Sequence, residues 1–295
     1  KAVSYVWTCL RIFFFMLKNK PDVIHVQWMR IPSFDYWYYK LCKCLFGFRL
    51  VFTAHNILPH NTGDKYIGPY RKFYQLADDI IVHTNNTKSE IHQKFGIDEN
   101  KINVIPHGLL PMVINKQVYE KELESFNDRY YLTGKFVFAS LGEQSPYKGI
   151  DILKEVWATT PQLNENPHCC LIIAGKVKLL DLSPLENFSN VIIENRRIPE
   201  EEFYYLMHHT DVYLLPYRQI SQSGALLSAI AEHIPVLVTN VGGLSDPLNV
   251  ANVGWRIEKC DVELLRNKML ELINFPHSTF HFQLIHLLTF KPTFH

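Results

Sequence analysis

The 295-residue chain reads as an α/β protein of two doubly wound domains with parallel sheets. Three observations predict this. Short apolar runs recur along the chain with helical patterns between them, the signature of βαβ units. At roughly 100–200 residues per domain, the length suits two domains that each bury a core. The composition, 47% hydrophobic and 20% charged, is that of an ordinary folded protein and excludes a disordered or low-complexity chain.

The elements follow in order. Val3, Trp7, Leu10, Phe14 and Leu17 recur at steps of four and three, which predicts the apolar face of an amphipathic helix, with Ser4, Thr8, Arg11 and Lys18 opposite. Val23-Ile24-His25-Val26 is a strand, followed by an aromatic helix from about Phe34 to Phe46 and a strand at Leu50-Val51-Phe52-Thr53. Asp79 to His83 is a third strand. Thr87 and Glu90 form a capping box for a helix that Gly96 ends, and Ile102 to Ile105 is a fourth strand. From Leu109 to Gly134 the alternation lapses, which places the domain boundary there and divides the chain into 1–120 and 121–295. Strands then recur at Phe136–Leu141, Leu171–Ala174, Val191–Ile193, Val212–Leu215 and Pro235–Thr239. Helices lie over Gly149–Thr159 and Gly224–Glu232, and another starts at Pro199, whose fixed φ suits the first helical position.

Charge and cysteine usage narrow the function classes. Thirty Lys+Arg against 29 Asp+Glu give a net charge of +1, so the chain as a whole lacks the positive field of a nucleic-acid binder. Residues 1 to 50 are basic by contrast, with eight Lys or Arg against Asp22 and Asp35. Basic residues beside an apolar helix face favour peripheral contact with an anionic membrane, but an amphipathic helix in an α/β protein most often packs that face on its sheet, which is the leading reading. The apolar run Ile12 to Leu17 is too short to span a bilayer or to be a secretory signal core. Six scattered cysteines form no CxxC pair and no zinc spacing, as expected of a reducing, cytoplasmic compartment and of a chain without a structural metal. Residue 1 is Lys and its neighbours already read as the middle of a domain, so a fragment is expected.

In doubly wound sheets ligands sit beyond the carboxyl ends of the strands, so the loops after strands carry the candidate site. No GxGxxG and no GxxxxGK[ST] is present, which removes the main sequence support for dinucleotide oxidoreductases and P-loop NTPases. Leu141-Gly142-Glu143-Gln144-Ser145-Pro146-Tyr147-Lys148-Gly149 instead puts a lysine between a strand and a helix. Pro216-Tyr217-Arg218-Gln219-Ile220-Ser221-Gln222-Ser223-Gly224 follows a buried strand and opens a helix whose free N–H groups and dipole favour an anion. Lys148, Arg218 and that helix start are placed to converge on one diphosphate. A lysine after a strand is more often a solvated loop residue, and Gly224 on its own only begins a helix.

At these residues the chain resembles the family-4 glycosyltransferases of the GT-B fold, two Rossmann-like domains facing a cleft. The resemblance runs through Asp22 to Val26, Phe52-Thr53-Ala54-His55-Asn56, Val104-Ile105-Pro106-His107-Gly108, Tyr147-Lys148-Gly149, Ala174-Gly175-Lys176, Ile198-Pro199 and Pro216-Tyr217-Arg218. It continues through Ser221-Gln222-Ser223-Gly224 and Pro235-Val236 to Val241-Gly242-Gly243-Leu244, covering about Pro21 to Ile273. It implies a retaining transfer of sugar from a nucleotide-sugar donor to a polysaccharide or lipid-linked glycan acceptor. No cofactor is implied, the nucleotide-sugar being a co-substrate. The first domain would be the acceptor side and the second the donor side.

The resemblance further implies roles by position. Lys148 would meet the leaving phosphate, with Arg218 beside it, and Gly142, Tyr147, Ser221, Gln222, Ser223, Gly224, Gly242 and Gly243 would shape the donor site. Asp246 would accept a hydroxyl. His55 would stand beside the reacting sugar, with Asn56 and His107 on the acceptor side. Other histidines, His25, His83, His208 and His209 among them, read as structural or surface groups. The absence of a DxD motif accords with a metal-independent enzyme. Three positions depart from the family pattern: Ile220 and Ser228 stand where many members have glutamates, and Ser145 where members with this loop often have arginine. A degenerate noncatalytic GT-B binding partner and a GT-B epimerase or phosphorylase therefore stay open. The stretch from Phe275 lacks the charged helix pattern that the family implies.

Overall fold

The computed structural model describes residues 2–59 and 63–274. The chain divides into two compact units, one ending at His107 and the other beginning at Gly108. The division precedes the expected one near residue 120 because the segment after Gly108 packs on the second core. Leu109 and Met112 lie against it, and the Met112 N–H donates to the Glu232 carboxylate at 2.6 Å. Residue 120 itself falls inside a helix, Lys116–Tyr130.

The first unit contains α1 (Ala2–Asn19), β1 (Val23–Val26), α2 (Pro32–Phe46), β2 (Arg49–Thr53), α3 (Ile67–Leu76), β3 (Asp79–Val82), α4 (Asn85–Phe95) and β4 (Ile102–Val104). All four strands are parallel, in the order β1-β2-β3-β4. Leu50, Phe52, Ile80, Val82 and Ile102 meet Phe73, Tyr74, Ile91 and Phe95 of α3 and α4 in one buried core. The α4 cap is Thr84, whose hydroxyl accepts from the Thr87 N–H, so Thr87 lies three residues inside the cap expected of it. Gly96 ends the helix in the left-handed conformation at φ +69°.

The face of α1 is the other correction. Cys9 and Met16 are the buried positions, with Ile12 and Phe13 partly covered, while Trp7, Leu10, Phe14 and Leu17 are exposed. Two polar anchors set that rotation: the Tyr5 hydroxyl donates to buried Asp35, and the Tyr38 hydroxyl donates to the Cys9 carbonyl. Among the described residues no helix is long and apolar enough to cross a membrane.

The second unit contains α5 (Lys116–Tyr130), β5 (Phe136–Leu141), α6 (Ile150–Ala158), α7 (Pro161–Asn164), β6 (Cys169–Ala174), β7 (Val191–Glu194), α8 (Glu200–His208), β8 (Val212–Leu215), α9 (Gly224–Ala231), β9 (Val236–Thr239), β10 (Gly254–Ile257) and α10 (Val262–Ile273). Pro199 is the cap of α8 rather than its first residue. The parallel sheet runs β10-β9-β8-β5-β6-β7. Because side chains alternate across a strand, the sheet builds two cores. Val137, Ala139, Leu141, Tyr213 and Val238 face one, and Phe138, Leu171, Ile173, Leu214 and Leu237 face the other. The chain leaves β5 toward β6 and β7, then returns to place β8 on the other side of β5. That reversal between β5 and β8 is the topological switch point, where the loops diverge and leave a crevice. The expected histidine-bearing tail from Phe275 lies outside the described residues.

Candidate functional site

Three loops of the second unit, after β5, β8 and β9, meet at the switch point, and close backbone contacts knit them together. Gly149 has φ +70°, and a Cβ there would stand 2.0 Å from the Pro216 carbonyl oxygen. Gly242 has φ +55°, and its Cβ would stand 1.8 Å from the Ile220 carbonyl oxygen. Only glycine tolerates both the left-handed angle and that approach. The Arg218 N–H donates to the Tyr147 carbonyl at 2.8 Å, and the Gly243 N–H to the Ser221 carbonyl at 3.1 Å.

Lys148 ends the short turn Pro146–Lys148 and is buried at 8% exposure. Its ammonium lies 5.5 Å from the centre of the Tyr217 ring and faces Gly142, where an added Cβ would be 3.9 Å away. Among the described residues it has no hydrogen-bond or ion-pair partner. Burial pulls its pKa down to about 8, against which the carboxylate of Glu143 acts weakly, since Glu143 itself is ion-paired to Lys178 at 2.6 Å. Ser223, facing the Tyr217 phenol, caps α9 by accepting the Leu226 N–H at 3.3 Å. Lys148, a cation without a counter-ion among the described residues, thus stands over the Tyr217 ring, whose phenol faces Ser223 at the start of α9.

The remaining donor-side candidates fall into three groups. Tyr147, Ser221, Gln222, Gly242 and Gly243 belong to the three knitted loops. Asp246 opens a short 3₁₀ turn after β9, where burial raises its carboxyl pKa. Arg218 differs from its expected place. Its guanidinium grips both oxygens of Asp151 and also donates to the Pro146 carbonyl at 2.7 Å, so it is bound up in the protein.

In the first unit the residues just beyond the parallel strands form a row of imidazoles. His55 and Asn56 follow β2, His83 follows β3 and His107 follows β4, while His25 belongs to β1. The His83 Nδ1–H donates to the Ile105 carbonyl at 2.9 Å, and its Nε2 lies 3.3 Å from His55 Nδ1. The His55 Nε2–H donates to the Gln27 side-chain Oε1 at 2.9 Å. Burial, then the neighbouring His83, His107 and His25, hold the His55 pKa below its ordinary value. Exposed Trp28 stacks on the His55 ring at 4.6 Å and 12°. His55 is therefore held in place by Gln27, His83 and Trp28. His25 and His83, read from sequence as structural or surface groups, belong to the same cluster.

Comparison with known proteins decides the family. The model of Glycosyltransferase Family 4 matches residues 2–109, and that of Glycosyl transferases group 1 matches residues 135–274. The chain belongs to the family-4 glycosyltransferases of the GT-B fold. The capsular polysaccharide biosynthesis glycosyltransferase CapM of Staphylococcus aureus is 25% identical over 206 residues, which is 67% of this family member and 53% of CapM. The chain thus spans about half the length of that relative. Among solved structures, Anabaena HepE in complex with UDP superposes with a TM-score of 0.68 at 15% identity, over 90% of this chain and 72% of HepE. Sucrose-phosphate synthase of Thermosynechococcus elongatus gives 0.69 at 16% identity, over 90% and 68%. At these identities the two structures establish the fold.

Proposed function

We propose that this protein is a retaining glycosyltransferase that moves a sugar from a nucleotide-sugar donor to a polysaccharide or lipid-linked glycan acceptor. The observation that carries the proposal is the buried Lys148 ammonium, held without a counter-ion at the switch point beside the start of α9. A desolvated cation next to free helix N–H groups suits the diphosphate of a nucleotide-sugar, whose leaving phosphate gains negative charge as the bond to the sugar breaks. HepE, of the same fold, has been solved with UDP and with UDP-glucose, and CapM is named for capsular polysaccharide biosynthesis.

In this reading Lys148 and the start of α9 at Ser223 and Gly224 take the diphosphate. The glycines Gly142, Gly242 and Gly243 let backbone approach the donor, Tyr147, Ser221 and Gln222 line it, and Asp246 accepts from a sugar hydroxyl. His55 is the acid–base group of the acceptor side, with Asn56 and His107 near it. The outward stripe Trp7, Leu10, Phe14 and Leu17, with Arg11 and Lys18 on the same helix, supports peripheral contact with an anionic membrane, where a lipid-linked acceptor would reside.

Thermal unfolding with UDP- and GDP-sugars tests the proposal. A donor raises the midpoint of the wild type and leaves Lys148→Ala unmoved. Nucleotide-sugars without effect on the wild type overturn it. Product anomer analysis distinguishes retention from inversion. Equal donor turnover by wild type and a Lys148→Ala, His55→Ala double variant would favour the noncatalytic reading that Ser145, Ile220 and Ser228 suggest.

A further inference from the structure

The Lys148 ammonium would gain water by swinging out of its site, so something must hold the turn that carries it. Gly149 lies flat against Pro216, but that contact is only steric. From the loop after β8, Arg218 supplies directional contacts to this turn. Its backbone N–H donates to Tyr147, and its guanidinium donates to Pro146 and, through two nitrogens, to both carboxylate oxygens of Asp151 in the first turn of α6. Tyr147 and Pro146 immediately precede Lys148, and Asp151 follows three residues after it. Arg218 therefore brackets the lysine on both sides, and the planar fork of a guanidinium fixes orientation in a way a lysine could not.

We propose that Asp151 and Arg218 are positioning residues, an ion pair that locks the Lys148 turn onto the loop after β8 and keeps the ammonium against Tyr217 beside α9, while Arg218 does not itself take the diphosphate. This rests on the donor-site reading above and reassigns one of its residues. An exposed pair contributes little to stability, so its effect is on geometry. The groups facing Lys148 are Glu143 and Tyr217, and Cys260 lies beside Gly149 within the field of the pair.

Asp151→Asn and Arg218→Lys test this in the intact chain, with two readouts. The first is the titration of Lys148 in the unliganded protein, followed by competitive amine labelling and mass spectrometry. The second is UDP and GDP binding by calorimetry. Both variants should let water into the turn and move the Lys148 titration upward from about 8 toward its ordinary 10.5. Nucleotide affinity should fall at least tenfold in both. If Arg218 is instead a phosphate ligand, Asp151→Asn frees it and affinity holds or improves while Arg218→Lys loses it, which overturns the proposal. A Lys148 titration that moves in neither variant overturns it as well, whatever the nucleotides do. Failure of the wild type to bind either nucleotide removes the donor-site reading instead, and the labelling result still decides the lock.

Discussion

Replacing Lys148 with methionine should make the unliganded protein more stable at neutral pH. The side chain keeps its length and apolar stem but loses a charge that sits at 8% exposure without a counter-ion. A cation whose pKa falls from 10.5 to about 8 on folding lowers stability by about 3 kcal/mol at pH 7. Losing the contact with the Tyr217 ring returns about 0.5–2 kcal/mol of that, leaving a net gain of roughly 1–2.5 kcal/mol. The pH dependence has a definite sign. Between pH 8 and 10.5 the unfolded chain holds a proton that the folded protein has shed, so the wild-type deficit is complete below pH 8 and vanishes as pH rises past 10.5. Urea unfolding of both proteins at pH 7 and at pH 10 measures the difference, and titrating groups common to both cancel. A variant no more stable than the wild type at pH 7, or one whose gain is the same at pH 10, refutes the idea that function holds this cation in an unfavourable place.

Three further outcomes are expected. The lowered His55 pKa means that the unfolded chain takes up a proton first as pH falls below 6.5, so the protein loses stability on acidification through that range, and His55→Gln should flatten the loss in urea midpoints between pH 6.5 and 5. Gly242→Ala should cost roughly 2–4 kcal/mol by urea unfolding and abolish nucleotide protection, because its methyl meets the Ile220 carbonyl at a left-handed φ. Glu202→Ala should cost about 3 kcal/mol by the same measurement, since the buried carboxylate answers Arg196, Arg129 and the Tyr130 hydroxyl, and its loss leaves two guanidinium groups without their shared partner.

Strands buried on both faces were legible in the sequence because they read as uninterrupted apolar runs. Phe136–Leu141 and Val212–Leu215 coincide with β5 and β8. What failed to show was less apolar. The helix α5 buries only Phe126 and Tyr130 among fifteen mostly charged or polar residues, so it looked like a linker. The strand β10 is a four-residue Gly-Trp-Arg-Ile segment whose identity comes from its register with β9, Trp255 beside Leu237, rather than from its own pattern. In α1 the hydrophobic period was present but chose the wrong side. Hydrogen bonds from Tyr5 and Tyr38 fix the rotation, and no count of apolar residues contains them.

The same distinction separates the candidate residues. The placement of Lys148, Ser223 and Gly242 in a turn, at a helix cap and in a tight loop could be read from sequence because it follows from a local context of strand, turn and helix start. The imidazole row could not, since its members come from four segments about 25 to 30 residues apart and become neighbours only through parallel pairing of the strands that carry them. Arg218 shows the converse limit. Sequence places a guanidinium beside an anion site, where a phosphate is its natural partner. What redirects it is Asp151, one turn into a helix that begins after a different strand, and only the adjacency of β5 and β8 in the sheet brings that carboxylate within reach. On the proposed donor-site reading, the cation that already has a carboxylate holds its neighbours in place, and the one without a carboxylate is left to meet a charged ligand.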